Sequence, residues 1–269
     1  MRIVMLGTGT AVKRRYERRG DAGIYVSAAG EHLVLDAGPG TMTRLAQVGV
    51  TYLDLTRVFL THYHPDHCLD LVSILFAMRL PDPARRKPVW VYGPRGLRLL
   101  YRRLNTAFSG WIEPRSYRLT LSELESSTLH LGRLTVRTLP MRHSAPAVGY
   151  RIESPTGVLA YSGDTDVCRE IVELGRGADV LILECSVTDE RKVRGHLTPT
   201  ECGRIAAEAG CRRLVLTHFY PVFEGYNIAA RVRRAYRGPL TLAADFRELR
   251  VLRRRARRLY RSPATQARR

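Results

Sequence analysis

Thr61-His62-Tyr63-His64-Pro65-Asp66-His67 puts three imidazoles and a carboxylate within six residues, directly after the apolar run Arg57-Val58-Phe59-Leu60. Imidazole and carboxylate are the ligands that Zn²⁺ and its divalent neighbours use where a site stays open for catalysis. On an extended segment His62 and His64, two apart, fall on the same side. Asp66 and His67 follow a proline that bends the chain, so they can turn toward a second ion. A lone His pair reads as packing or surface. Four such side chains at the end of a strand read as a metal site.

The same arrangement recurs along the chain: an apolar strand closes on a polar residue. It appears in Leu33-Val34-Leu35-Asp36, Leu159-Ala160-Tyr161-Ser162-Gly163-Asp164, Leu181-Ile182-Leu183-Glu184 and Leu214-Val215-Leu216-Thr217-His218. Buried strands of open α/β sheets deliver ligand-binding side chains to a common rim in this way. Periodicity predicts strands at Arg2–Leu6, Gly23–Ser27, His32–Asp36, Val58–Leu60, Val89–Tyr92, Leu134–Leu139, Gly149–Glu153, Val158–Ser162, Val180–Glu184 and Leu214–Thr217. It predicts helices at Thr41–Val48, Leu69–Leu80, Gly96–Asn105, Asp166–Leu174, Thr200–Ala209 and Ile228–Tyr236. Thr198-Pro199-Thr200-Glu201 carries a helix start, with Thr198 as N-cap and Glu201 closing a capping box. The fold class is α/β, with two sheets and helices outside. One domain is expected over residues 1–252, followed by an Arg-rich tail, 253–269, partly helical or disordered.

Composition narrows the classes further. At 269 residues with 45% hydrophobic and 26% charged residues, the chain can bury a sizeable core. The longest apolar run, Leu71 to Met78, is eight residues, well short of the roughly 18–20 of a membrane span. The N-terminus lacks the apolar region and cleavage site of a secretory signal, so cytoplasmic residence is expected. Five cysteines without a CxxC pair argue against a disulfide framework and against a four-cysteine zinc site. The net charge is +19, and 41 of the 44 basic residues are Arg, whose forks match phosphate oxygens. This favours a polyanionic partner, although a high-GC genome also replaces Lys with Arg. Eight of these Arg fall in residues 253–269, which hold no acid, leaving +11 on the remainder. The tail reads either as a phosphate-backbone contact or as a solvated extension.

The ordered set HxHxDH, a lone His at His143, Gly163-Asp164 at a strand end and a final Thr217-His218 resembles the metallo-β-lactamase superfamily in its dinuclear hydrolase form. Within it the chain is similar to the ribonuclease Z branch and its phosphodiesterase relatives, through Gly7-Thr8-Gly9-Thr10, Asp36-Ala37-Gly38-Pro39-Gly40, Glu184-Cys185 and Gly195-His196-Leu197-Thr198. The resemblance implies an αβ/βα four-layer sandwich of two mixed sheets flanked by helices. It puts His62, His64 and His143 on one metal, and Asp66, His67 and His218 on a second, with Asp164 bridging. His196 matches the family's His-x-Thr position, and Glu184 the acid that orients it. Asp66, His196 and Glu184 are thus the catalytic candidates. Two divalent ions per chain are implied, zinc first, with manganese or iron as alternatives. Paired cations about 3.5–4 Å apart bring the pKa of a bridging water toward roughly 7. The Gly7-Thr8-Gly9 turn is expected to let backbone approach this site.

The implied activity is hydrolysis of phosphodiesters, in RNA or in a small or cyclic phosphate, and the relatives imply a homodimer. The long tRNA-gripping arm of ribonuclease Z lies between the lone His and the bridging Asp. Only twenty residues separate His143 from Asp164, too few for that arm. The Arg-rich tail, or Arg85-Arg86-Lys87 with Arg95 and Arg98, could replace it as an RNA grip. Two rival readings remain: a superfamily hydrolase of a lactone, thioester or aryl sulfate, and a non-catalytic nucleic-acid-binding protein. A flavodiiron-type redox protein is disfavoured, because its ligand set includes a Glu and its flavin domain would not fit this length.

Overall fold

The computed structural model describes residues 1–15, 18–80, 82–144, 146–223 and 225–252. The expected Arg-rich tail lies outside them. Fourteen strands are described: β1 (Arg2–Gly7), β2 (Gly23–Ala28), β3 (Glu31–Ala37), β4 (Arg57–Phe59), β5 (Val89–Gly93), β6 (Leu119–Glu123), β7 (Ser127–Leu131), β8 (Leu134–Pro140), β9 (Val148–Ser154), β10 (Gly157–Tyr161), β11 (Val180–Glu184), β12 (Leu214–Thr217), β13 (Leu240–Leu242) and β14 (Glu248–Arg250). They form two seven-stranded sheets, β14-β1-β2-β3-β4-β5-β6 and β13-β12-β11-β10-β9-β8-β7.

Each sheet changes character at one strand. In the first, β14, β1, β2 and β3 pair antiparallel, and β3 through β6 pair parallel. In the second, β7 through β10 pair antiparallel, and β10 through β13 parallel. The central parallel strands read as unbroken apolar runs because both their faces are covered. All five residues of β11, Val-Leu-Ile-Leu-Glu, are buried.

Three apolar clusters fill the spaces between four layers. Ile3, Val26, Leu35 and Phe59 of the first sheet meet Val136, Tyr150, Ile182 and Val215 of the second. On the outside of the first sheet, Val34, Val58 and Val91 pack with Leu45 of α1 (Thr41–Gln47), with Ile74 and Met78 of α3 (Leu71–Arg79), and with Leu97 of α4 (Leu97–Ala107). Outside the second sheet, Leu181, Leu183 and Leu216 pack with Ile171 of α5 (Arg169–Gly175), Ile205 of α6 (Pro199–Ala209) and Val232 of α7 (Ile228–Val232). The remaining helix, α2 (Pro65–Cys68), is a single turn that carries part of the opening motif. The architecture is the four-layer sandwich expected from the resemblance.

The helix predicted over Leu69–Leu80 is α3, Leu71–Arg79, with Leu69 and Asp70 between it and α2. Asp70 accepts from the Met42 amide at 2.5 Å, which ties that junction to α1. The helix predicted from Asp166 begins only at Arg169, because the Asp166 carboxylate is bound to the Gly195 amide at 3.0 Å and the Lys192 ammonium at 2.8 Å. The capping box of α6 forms as read: the Thr198 hydroxyl accepts from the Glu201 amide and the Glu201 carboxylate from the Thr198 amide. Strands β6, β7, β13 and β14 had no counterpart in the sequence reading.

Candidate metal centre

Side chains from both sheets converge at the ends of β4, β8, β10 and β12. His62 and His64 lie in the loop after β4, with Asp66 and His67 on α2. His143 follows β8, Asp164 follows β10, and His218 follows β12. Asp164 is the hub of the group. Its Oδ1 lies 3.4 Å from His67 Nε2 and 3.4 Å from His218 Nδ1. Its Oδ2 lies 3.7 Å from His143 Nε2 and 3.9 Å from His62 Nε2. Asp66 Oδ2 is 3.5 Å from His218 Nε2.

Two donor sets result, each with atoms within 4.8 Å of one another: His62, His64, His143 and Asp164, and Asp66, His67 and His218. Each could hold one divalent cation, with Asp164 between them. Among the described residues, neither His62 Nε2 nor Asp164 Oδ1, both buried, has a hydrogen-bond partner. Buried polar atoms are almost always paired, so an orphan in the first donor set and another against His67 and His218 fit a cation at each position. A third grouping of Asp164, His196 and His218 also lies within 4.8 Å, so His196 is near enough to ligate. Its Nδ1, however, is bound to Glu184 Oε1 at 2.9 Å.

The outer contacts orient four of the imidazoles alike. His67 Nδ1 donates to Asp36 Oδ2 at 2.9 Å, and His143 Nδ1 to the Gly195 carbonyl at 2.8 Å. Thr61 Oγ1 donates to Asp36 at 2.9 Å, which leaves its lone pair to accept from His62 Nδ1 at 3.0 Å. Ser186 Oγ likewise donates to Glu184 Oε2 at 2.5 Å and accepts from His218 Nδ1 at 2.9 Å. With Nδ1–H held by these partners, each of the four rings, when neutral, keeps Nε2 free of its proton for a metal, the orientation that an outer hydrogen bond fixes. Gly195 has φ +89°, and a Cβ there would stand 3.0 Å from His143 Nδ1, so both backbone angle and space exclude a side chain.

Burial holds the His62 pKa well below the usual imidazole value, with the charge of His67 acting in the same direction. Burial lowers that of His67 too, but the carboxylates of Asp164 and Asp36 outweigh it, and the net shift is well upward. Asp66 would be raised by burial, yet the His218 hydrogen bond and the charge of His67 bring it below the usual carboxylate range. For His196, burial is outweighed by the hydrogen bond and charge of Glu184, so its pKa is raised.

All nine residues singled out in the sequence are thus gathered at one rim. One local expectation needs correcting. The space beside Gly7 and Gly9 is filled by the 19–21 backbone and the Arg19 side chain, not by the centre, with a Gly7 Cβ only 1.9 Å from the Asp21 carbonyl oxygen. The backbone approach in this region is that of Ala11, whose amide donates to Asp66 Oδ2 at 3.2 Å.

Sequence reasoning missed the supporting layer. Asp36, fully buried, accepts from the Thr61 amide at 2.7 Å, the Thr61 hydroxyl, His67 and the Tyr161 hydroxyl at 2.8 Å. Asp36 and His218 are both non-glycine residues in the left-handed region, at φ +57° and +59°. Such angles cost roughly 1–3 kcal/mol and cluster where a side chain must be aimed. Lys192 Nζ, one of three lysine ammoniums, reaches Asp166 at 2.8 Å, Glu201 at 2.7 Å and the His196 carbonyl at 2.5 Å. The signal for Asp36 was its place in the strand-end pattern; Ser186 and Lys192 carried none.

Residues 31–219 match the family model described as the Beta-lactamase superfamily domain. An uncharacterised protein of Mycobacterium tuberculosis is 35% identical over 215 residues, covering 77% of each chain. A ribonuclease Z of Methanothermobacter thermautotrophicus is 28% identical over 301 residues, covering 91% of this chain and 94% of its own. The crystal structure of the metallo-β-lactamase fold protein YhfI from Bacillus subtilis superposes with a TM-score of 0.79 at 21% identity, covering 92% of this chain and 98% of that one. With the family model spanning most of its length and the same four-layer architecture, this chain belongs to the metallo-β-lactamase superfamily.

Proposed function

We propose that the chain is a dinuclear metal-dependent phosphodiesterase of the ribonuclease Z kind, acting on RNA or on smaller nucleotide phosphodiesters. The observation that carries this reading is the His196–Glu184 pair: an imidazole of raised pKa, held at Nδ1 by a buried carboxylate, with that nitrogen 3.9 Å from Asp164. Likeness to ribonuclease Z over nearly the whole chain supports the same bond class.

In this proposal His62, His64 and His143 would hold one cation and Asp66, His67 and His218 the other, with Asp164 available to both. When bound, the pair supplies Lewis acidity for the phosphoryl oxygens and favours ionisation of water at the site. Asp66, kept ionised and fixed by the Ala11 amide, accepts a hydrogen bond from the attacking water and orients it. His196, protonated more readily than an ordinary imidazole, donates from Nε2 to a phosphate oxygen or to the departing alkoxide. Glu184 keeps the ring turned for that task and favours the charged form. The net charge of +19 draws a polyanion toward the rim, and residues 253–269 serve as an RNA grip in place of the arm.

A side-by-side turnover panel tests the reading, using the metal-loaded protein with a precursor tRNA, cyclic nucleotides, an aryl sulfate and a lactone. Turnover of at least one phosphodiester, abolished by chelation, is the expected result. Turnover confined to the sulfate or lactone would overturn it in favour of another ester.

A further inference from the structure

A cleft of about 480 Å³ opens beside the metal centre, within the roughly 300–1,000 Å³ span of small-ligand sites. Tyr220 forms the wall between the two: it lines the cleft, and its ring lies 5.9 Å from that of His196 and 6.0 Å from that of His218. Beyond it the cleft is lined by Phe223 and Tyr226, whose rings meet at 5.7 Å, and by Arg14, Arg15 and Arg19. Among the described residues, none that lines it is acidic. Arg19 is fixed in place, donating to the Thr8 hydroxyl at 2.6 Å and the Ala243 carbonyl at 2.8 Å, with its guanidinium 4.8 Å over the Phe219 ring. Arg14 and Arg15 stand exposed at the rim.

Arginines and aromatic rings lining one cleft are the two elements by which proteins hold a single nucleotide unit: rings stack on the base, cations meet the phosphate. Neither element alone would point to that ligand. An aromatic cleft without charge suits any apolar group, and a basic patch without rings suits any anion. Their union next to the reacting centre is the discriminating fact.

We propose that this cleft is a nucleotide subsite. The base of the nucleotide next to the scissile bond packs against Tyr220 and Phe223, and its outer phosphate meets Arg14 and Arg15. Nucleoside-bearing diesters are therefore preferred over diesters of plain alcohols or phenols. The inference rests on the phosphodiesterase reading for its kinetic consequence, but not for binding itself.

The test uses the full-length metal-loaded protein, its Phe223→Ala variant and its Arg14→Ala/Arg15→Ala variant. Two diesters with the same leaving group are compared: thymidine 3′-phosphate 5′-(p-nitrophenyl phosphate), which carries the outer phosphate, and bis(p-nitrophenyl) phosphate. The ratio of their kcat/KM values should fall about tenfold in each variant, on the order of one lost stack or phosphate contact. Because it is a ratio within one preparation, partial unfolding cannot mimic that fall. An unchanged ratio in both variants would overturn the proposal. Binding of 5′-AMP is measured alongside, with Kd expected to rise about tenfold. If the unsubstituted protein cleaves neither these diesters nor any phosphodiester of the panel above, the phosphodiesterase reading fails; wherever no ratio can be measured, the 5′-AMP titration alone decides the subsite, and equal Kd in all three proteins rejects it.

Discussion

Asp36 Oδ2 and His67 Nδ1 are joined by a 2.9 Å hydrogen bond between two fully buried side chains, and the same carboxylate receives three further donors. Asp36→Asn replaces an acceptor oxygen with a donor that faces other donors. Metal affinity should drop about 10–100-fold, as is usual when the partner of a metal-binding imidazole is lost. Asp36→Ala should also cost roughly 3 kcal/mol of stability, or about 6–12 °C in Tm. Competition with a chromophoric chelator and a thermal melt check both; wild-type metal affinity in Asp36→Asn would refute the orienting role.

A cation on His67 must displace the Nε2 proton. Asp164 and Asp36 raise the pKa of this imidazole well above the usual value, so at neutral pH the proton is present to be displaced. His62, lowered by burial, has none to lose. Binding near two divalent ions per chain should therefore release protons, and affinity should weaken as pH falls. Calorimetry in buffers of differing ionisation enthalpy measures the release. Heats that do not depend on the buffer would contradict it.

His196→Ala should reduce turnover of bis(p-nitrophenyl) phosphate by about 10²–10⁴-fold while metal content stays near two ions per chain. Glu184→Gln should give a smaller loss, since the ring keeps a partner but not its charge. Metal analysis beside the rate measurement separates the roles: loss of an ion from His196→Ala would make His196 a ligand.

Lys192 uses all three ammonium donors on Asp166, Glu201 and the His196 carbonyl. It thereby anchors the backbone of the proposed acid, and Asp166 in turn holds the Gly195 amide next to the carbonyl that receives His143. Lys192→Met should lower kcat about 10–100-fold through misplacement of His196. Arginine, with a planar fork, should not restore it. A variant of unaltered kcat would remove this positioning role.

Deleting residues 253–269 removes eight Arg. RNA affinity should fall, and its dependence on salt concentration should become shallower as fewer phosphate contacts release counterions. Binding isotherms over a salt series are the measurement; identical slopes would make the segment a passive extension.

The fold was legible where strands are buried on both sides. Val180–Glu184 and Leu214–Thr217 were read with the bounds they have, because covered parallel strands are continuous apolar runs between polar ends. Strands β6 and β7 escaped because Leu119–Glu123 and Ser127–Leu131 are only half-buried and carry Ser, Glu and His. Strands β13 and β14 are three residues each, β13 pairing with the preceding β12 and β14 with β1 at the other end of the chain. No local pattern encodes a pairing across some 240 residues.

The candidate site was legible for a similar reason. His, Asp and Glu at strand ends are conspicuous in any sequence, whereas the residues that aim them are ordinary in type. Ser186 and Lys192 take their places through loops that only the folded chain closes, and the left-handed angle at His218 leaves no mark on residue identity.

Each sheet switches from antiparallel to parallel pairing at an inner strand, and the centre straddles both: His62, His64, Asp66 and His67 come from the first half of the chain, His143, Asp164 and His218 from the second. A divalent ion seated there rivets one half to the other, and neither half alone owns a full coordination shell. Cation supply thus becomes a thermodynamic handle on the assembled sandwich: at a free concentration one hundred times Kd, a single occupied position adds about 2.7 kcal/mol against unfolding. Starvation for the ion would loosen the seam between the sheets as well as silence the chemistry.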